Sequence, residues 1–109
     1  MTITPKKTAQ FKAKIFYALS DPARLQALEF IRNQEKCVCE IVPHLNIIQP
    51  LVSRHLKILK NAGIIRCRKD STKHMYSVAY SQIYDVIDVL NPQLITNLTK
   101  EAIENVACR

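Results

Sequence analysis

Gln49-Pro50-Leu51-Val52-Ser53-Arg54-His55-Leu56-Lys57-Ile58-Leu59-Lys60-Asn61 reads as one two-faced helix. Val52, Leu56 and Leu59 recur at i, i+4 and i+7, the spacing that gathers apolar side chains on one side. Gln49, Ser53, Arg54 and Lys57 then fall on the opposite side. Pro50 suits the first turn, where its missing N–H costs nothing. Gly63, the one glycine of the chain, stands where a left-handed residue closes a helix. The polar side has the chemistry to lie in a major groove of duplex DNA. Arg54 pairs with guanine edges or phosphate, Gln49 with adenine, and Ser53 with base or phosphate. Lys60 and Asn61 are placed for backbone contacts. His55 lies between the two sides, so a structural role and a DNA contact both stand open. The expected contact set on this helix is Gln49, Pro50, Ser53, Arg54, His55, Lys57 and Lys60.

The segments on either side sharpen this reading. Upstream, residues 37–45 place Val38, Ile41, Val42 and Leu45 at helical spacing, with Pro43 implying a short helix or a late start. Asn46-Ile47-Ile48 is the tight turn between the two helices, and the pair makes a helix-turn-helix. Downstream, residues 64–68 and 74–79 pattern as strands around a polar turn at 69–73. Arg66, Arg68, Lys69 and Lys73 on such a hairpin form a wing that grips phosphate. A solvated face is the ordinary reading of a run of charges; the cationic hairpin directly after the helix outweighs it. His74 reads as a surface strand residue.

Further out, Phe11, Ile15, Ala18 and Leu19 mark a first helix over residues 11–19. Asp21 and Pro22 cap and start a second, running to about Arg32 with Leu25, Ala27, Leu28 and Ile31 inward. Residues 81–90 carry Ile83, Val86, Ile87 and Leu90 on one helical face. Residues 94–106 form a last helix beyond Pro92. The expected fold is mainly α with a β-hairpin wing, a winged helix-turn-helix in the order α-α-α-α-β-β-α-α, as one domain over residues 1–109.

Charge supports a polyanionic partner. The chain carries a net +7 over 109 residues with a pI near 9.4, and residues 49–74 alone hold +6 of it. Residues 81–109 sum to −2, so that end serves another purpose. No stretch has the length or apolarity of a signal peptide or a membrane span, which predicts a cytoplasmic protein without membrane association. Cys37, Cys39, Cys67 and Cys108 are then expected reduced, with no disulfide framework. The chain has no glycine-rich loop and no carboxylate pair suited to a cleft, and its cysteines lack an evident base; an enzyme is not expected. A winged-helix module that binds protein and not DNA is the reading from another class; its basic segment would be dispensable.

Three motifs carry a family resemblance. Ala18-Leu19-Ser20-Asp21-Pro22-Ala23-Arg24-Leu25 resembles the ALSDPxRL signature of ArsR/SmtB-type repressors. The segment from Gln49 to Leu59 resembles their QPxVSxHLKxL recognition helix. Lys36-Cys37-Val38-Cys39-Glu40-Ile41 resembles the LCVCDL metal box of the arsenic and cadmium/lead branches. The resemblance spans about residues 10–90. It implies a homodimer on a palindromic double-stranded operator, released when a metal or metalloid binds, with no cofactor required. It also implies that terminal helices, residues 8–19 and 81–106, build the dimer.

The inducer site is read from softness. Two thiolates favour As(III), Sb(III), Cd(II), Pb(II), Hg(II) or Zn(II) over harder ions, with As(III) or Sb(III) first. Residues i and i+2 do not face each other on a helix, so Cys37 and Cys39 converge only at a helix end or after local unwinding. Straining the first helix of the helix-turn-helix would tilt the second. The alternative is that both are small buried apolar residues. The arsenic-type box often has a third cysteine where Val42 stands here, so Cys108, from this subunit or its partner, is the expected third donor, with solvent or His44 as alternatives. Cys67 reads as structural. The extra N-terminal cysteines of the cadmium/lead branch are missing, and no histidine follows His74 to build the family's zinc-type site with Asp85 or Asp88. A thiol redox switch is the nearest rival; a Cys37–Cys39 disulfide would be strained, making Cys108 the natural partner.

Overall fold

Polar caps and prolines set the helix starts. The structure, a computed structural model, describes residues 3–107. The Thr4 hydroxyl accepts the Lys7 N–H at 3.2 Å and opens α1 (Pro5–Leu19), which starts earlier than the apolar spacing alone predicts. The Asp21 carboxylate accepts the Ala23 N–H at 2.8 Å and opens α2 (Pro22–Phe30). Pro5 and Pro22 each occupy the first turn, where no N–H is missed.

The centre follows the expected pattern with one addition. After β1 (Lys36–Cys37) come α3 (Val38–Leu45) and α4 (Gln49–Asn61). Asn46, at φ 56, turns the chain between them. Gly63 takes φ +78 just past α4, as a left-handed cap requires. The hairpin is β2 (Ile65–Asp70) and β3 (Lys73–Val78). Its turn is tighter than the 69–73 loop expected: Asp70 pairs with Lys73, and Ser71 at φ 59 supplies the positive φ of a two-residue loop. The addition is β1, which pairs antiparallel with β3, Lys36 opposite Tyr76 and Cys37 opposite Met75. The sheet order is β1-β3-β2, and the element order gains a strand between the second and third helices.

α5 (Gln82–Asp88) and α6 (Pro92–Ala107) complete the chain. The core joins Leu28 and Ile31 after α1, Ile41 of α3, and Val52, Leu56 and Leu59 of α4, all at most 2% exposed. Two inward expectations are corrected. Leu25 is exposed, and on α5 the buried residue is Tyr84, while Val86 and Leu90 stay exposed. Tyr84 wins the interior because its hydroxyl donates to the Leu28 carbonyl at 2.6 Å, which satisfies its one polar atom. Burial pushes the Tyr84 phenol up to about 12. Arg32 lies over the Tyr84 ring at 4.2 Å and donates to both Asp88 oxygens at 3.0 Å, clamping α5 to the end of α2.

No helix of the described residues is long and apolar enough to cross a membrane. Phe11 and Phe16 of α1, Val86 of α5, Leu90, and Ile95, Leu98, Ile103 and Val106 of α6 are all exposed, and no residue of α6 is buried. Phe16, Leu25, Val86, Leu90 and Ile95 help to line an open apolar cavity of about 370 Å³.

The Arg32 clamp gives a pH dependence. The hydrogen bond from Arg32 holds the Asp88 carboxyl below its ordinary value of 3.8. A carboxyl depressed in the folded state stabilises the fold above its unfolded value and loses that contribution as pH falls through its folded one. Asp88→Asn should therefore flatten the loss of stability below about pH 4, seen as urea midpoints measured across the acid range, and leave the slope near neutrality unchanged.

Candidate nucleic-acid interface and thiol pair

α4 separates its two faces completely. Val52, Leu56 and Leu59 are at most 1% exposed. Gln49, Pro50, Ser53, Arg54, Lys57 and Lys60 are exposed. The apolar side docks on the core and fixes the helix, which leaves the polar side to a ligand of its own shape.

His55 belongs to the docked side and not to the exposed one, so a direct DNA contact by this residue is corrected to a positioning role. It is 8% exposed, and its Nδ1 lies 3.0 Å from an Arg24 terminal nitrogen. Arginine offers only N–H donors, so Nδ1 is the acceptor of this contact. Its Nε2 faces the Asp21 carboxylate at 3.9 Å. Arg24 is itself 6% exposed and donates to the Ala18 carbonyl at 2.7 Å and the Tyr17 carbonyl at 3.2 Å. One guanidinium thus joins the end of α1, the start of α2 and the middle of α4. At Asp21 desolvation raises the carboxyl, but the N–H groups of Ala23 and Arg24 and the Arg24 charge bring it below its ordinary value. The signature containing Asp21 and Arg24 marked these residues in the sequence; their link to His55 crosses 31 positions and left no local signal.

On the hairpin, Arg66, Arg68, Lys69 and Lys73 are all exposed, with two of them already engaged. The Arg66 guanidinium lies over the Tyr80 ring at 5.2 Å. Arg68 forms a two-pronged pair with Glu35, Nε to Oε2 at 2.9 Å and a terminal nitrogen to Oε1. That pair raises Arg68 and lowers the Glu35 carboxyl from their ordinary values. Strand alternation puts Arg66 and Arg68 on one side of β2, and Cys67 and Lys69 on the other. Cys67 is free and half-buried, with its sulfur 4.0 Å from His74 Nδ1. Burial, and then Cys67, raise the Tyr76 phenol from its ordinary value.

Cys37 and Cys39 converge as the helix-end argument requires. Cys37 caps α3 in extended backbone, φ −80 and ψ 159, which takes it off the helical track. The two Cα atoms are 5.1 Å apart, and the sulfurs are joined in a disulfide. This differs from the expectation that the pair is reduced. Cys108 lies outside the described residues. Cys37 is buried and Cys39 exposed, and Glu40 accepts the Cys37 N–H at 3.1 Å. His44 stacks on Phe30 with ring centres 3.8 Å apart, at the far end of α3. Among the described residues no group of three or more His, Cys, Asp or Glu side chains is gathered to hold a metal ion.

Comparison with known proteins agrees with this geometry. Residues 21–66 match the family model described as bacterial regulatory protein, arsR family. Over 80 residues the chain is 39% identical to an uncharacterized HTH-type transcriptional regulator of Methanocaldococcus jannaschii, covering 72% of this chain and 90% of that one. Over 77 residues it is 35% identical to the arsenical resistance operon repressor of Staphylococcus aureus, covering 71% and 74%. A homodimeric winged helix-turn-helix DNA-binding domain from Mycobacterium bovis matches its fold with TM-score 0.70 at 23% identity, over 94% of this chain and 93% of that one. Two helices, a tight turn and a cationic hairpin define a winged helix-turn-helix, a class of DNA-binding proteins. The chain belongs to the ArsR family of transcriptional repressors, whose members here are regulators and not enzymes.

The Arg24 junction predicts a cost away from any contact with DNA. His55→Ala leaves a buried guanidinium N–H without its acceptor and should lower the unfolding free energy by about 1–3 kcal/mol. Chemical denaturation measures this, and an unchanged midpoint would remove His55 from the junction.

Proposed function

We propose that two copies of this chain bind a palindromic operator in the cytoplasm and are released from it by a soft metalloid, As(III) or Sb(III) first. The observation that carries the reading is α4, whose apolar edge is fully docked while Gln49, Ser53, Arg54 and Lys57 are exposed together. In this reading Arg54, Gln49 and Ser53 meet base edges, with Pro50 beside them at the helix start. Lys57, Lys60, Arg66, Arg68, Lys69 and Lys73 meet phosphates. The exposed apolar residues of α1, α5 and α6 support dimerisation, with residues 1–109 acting as one domain and the terminal helices as the interface.

Reduced, Cys37 and Cys39 offer two adjacent soft thiolates, which fit a thiophilic inducer. Cys37 and Cys39 would hold such an inducer through their thiolates. Cys108 is the third donor of this reading. What the chain contributes is connection. Cys37 is both the cap of α3 and a member of β1, so a rearrangement at its sulfur acts on the helix-turn-helix and on the strand paired with the wing. No cofactor enters.

The disulfide favours a second reading, a thiol redox switch. Hydrogen peroxide would accept two electrons from the two thiols, forming the S–S bond and releasing two waters, the thiol protons going to its oxygens. Counting free thiols after mild peroxide, with and without As(III), separates the two: As(III) protection of the pair supports the metalloid reading.

Two outcomes are expected. Arg54→Ala should weaken operator binding by about 1–3 kcal/mol in a fluorescence titration, against a background whose affinity falls steeply with salt. Cys37→Ser/Cys39→Ser protein should remain on the operator when As(III) is added; normal release would move the inducer site elsewhere.

A further inference from the structure

We propose that Glu35 is an internal rival of DNA phosphate for Arg68, holding the wing below its full cationic strength; this rests on the operator-binding reading above. Arg68 is the one hairpin cation among the described residues recorded in an ion pair. Its fork is filled by both Glu35 oxygens, the same two-pronged geometry by which arginine takes a phosphate. Glu35 takes the Nε edge and neutralises the cation, so a phosphate would meet only the other edge, with a carboxylate beside it. Glu35 does not arrive by chance of a long flexible reach. It stands directly before β1, and β1 is paired to β3, so the sheet delivers the carboxylate to the wing. Asp70, at the hairpin tip, is the other carboxylate that acts on Arg68, and it does so without a hydrogen bond.

The exchange is open in both directions. The Arg68 side chain keeps 56% of its exposure and Glu35 keeps 32%, so a duplex has access to the pair. An exposed pair of this kind is weak, and phosphate can displace it. The rivalry therefore sets affinity by a small factor and does not switch it. Its position gives it further interest: Glu35 lies two residues from Cys37, on the segment that any change at the thiol pair would move.

The test compares wild type, Glu35→Gln, Arg68→Ala and the double variant by fluorescence anisotropy on one operator duplex between about 50 and 200 mM salt. Releasing Arg68 to a phosphate should tighten Glu35→Gln binding on the order of threefold at the lower salt and steepen the log–log salt slope by about 0.9. In the Arg68→Ala background Glu35→Gln should then gain nothing. Unchanged or weaker binding by Glu35→Gln would overturn the rivalry, as would an equal gain in the Arg68→Ala background, which would make the effect one of general charge. Wild type that ignores duplex even at low salt would remove the operator reading and the rivalry together; binding with a silent Glu35→Gln removes the rivalry alone.

Discussion

A buried charge is tolerable only when its hydrogen bonds are met, and Arg24 of α2 meets that condition with groups from two other helices. Its partners are the Ala18 and Tyr17 carbonyls at the end of α1, the second shared with Ser20, and the imidazole of His55 on α4. Carbonyls at a helix end lack partners within the helix. The guanidinium supplies them and in the same act ties α4 to the scaffold at its midpoint. The orientation of the polar edge of α4 follows from this tie and from Val52, Leu56 and Leu59 beneath it.

The cationic side of the molecule is less uniform than its charge suggests. Lys57 and Lys60 stand free in solvent, whereas Arg66 rests on an aromatic ring and Arg68 on a carboxylate. Alternation along β2 also divides the wing, so its cations do not form one patch. Phosphate recognition would draw on side chains with different prior attachments, and their contributions to affinity should differ accordingly.

The fold was legible where periodicity is long enough to register. Thirteen residues of α4 repeat their apolar spacing over several turns, and the Asp21-Pro22 start has a local mechanism. β1 has two residues, too few to display any alternation, and its strand character comes from β3. Tyr84 was missed for a related reason: the apolar spacing of Ile83, Val86, Ile87 and Leu90 is genuine, but the distant Leu28 carbonyl decides which residue is buried. For the site, the convergence of Cys37 and Cys39 at a helix end was readable from their spacing, and their bonding to one another was not. Arg24 with His55 and Arg68 with Glu35 join positions 31 and 33 residues apart, where sequence offers types but no pairing.

Gly63 shows how a position can be closed to change without being crowded. A Cβ there would meet nothing within 4 Å, yet φ +78 excludes comfortable occupancy by most L-residues. Evolutionary drift at this joint is governed by torsion and not by volume. Asparagine and aspartate, which enter the left-handed region with least penalty, are the substitutions that natural variants should accept, and branched residues the ones that selection should purge.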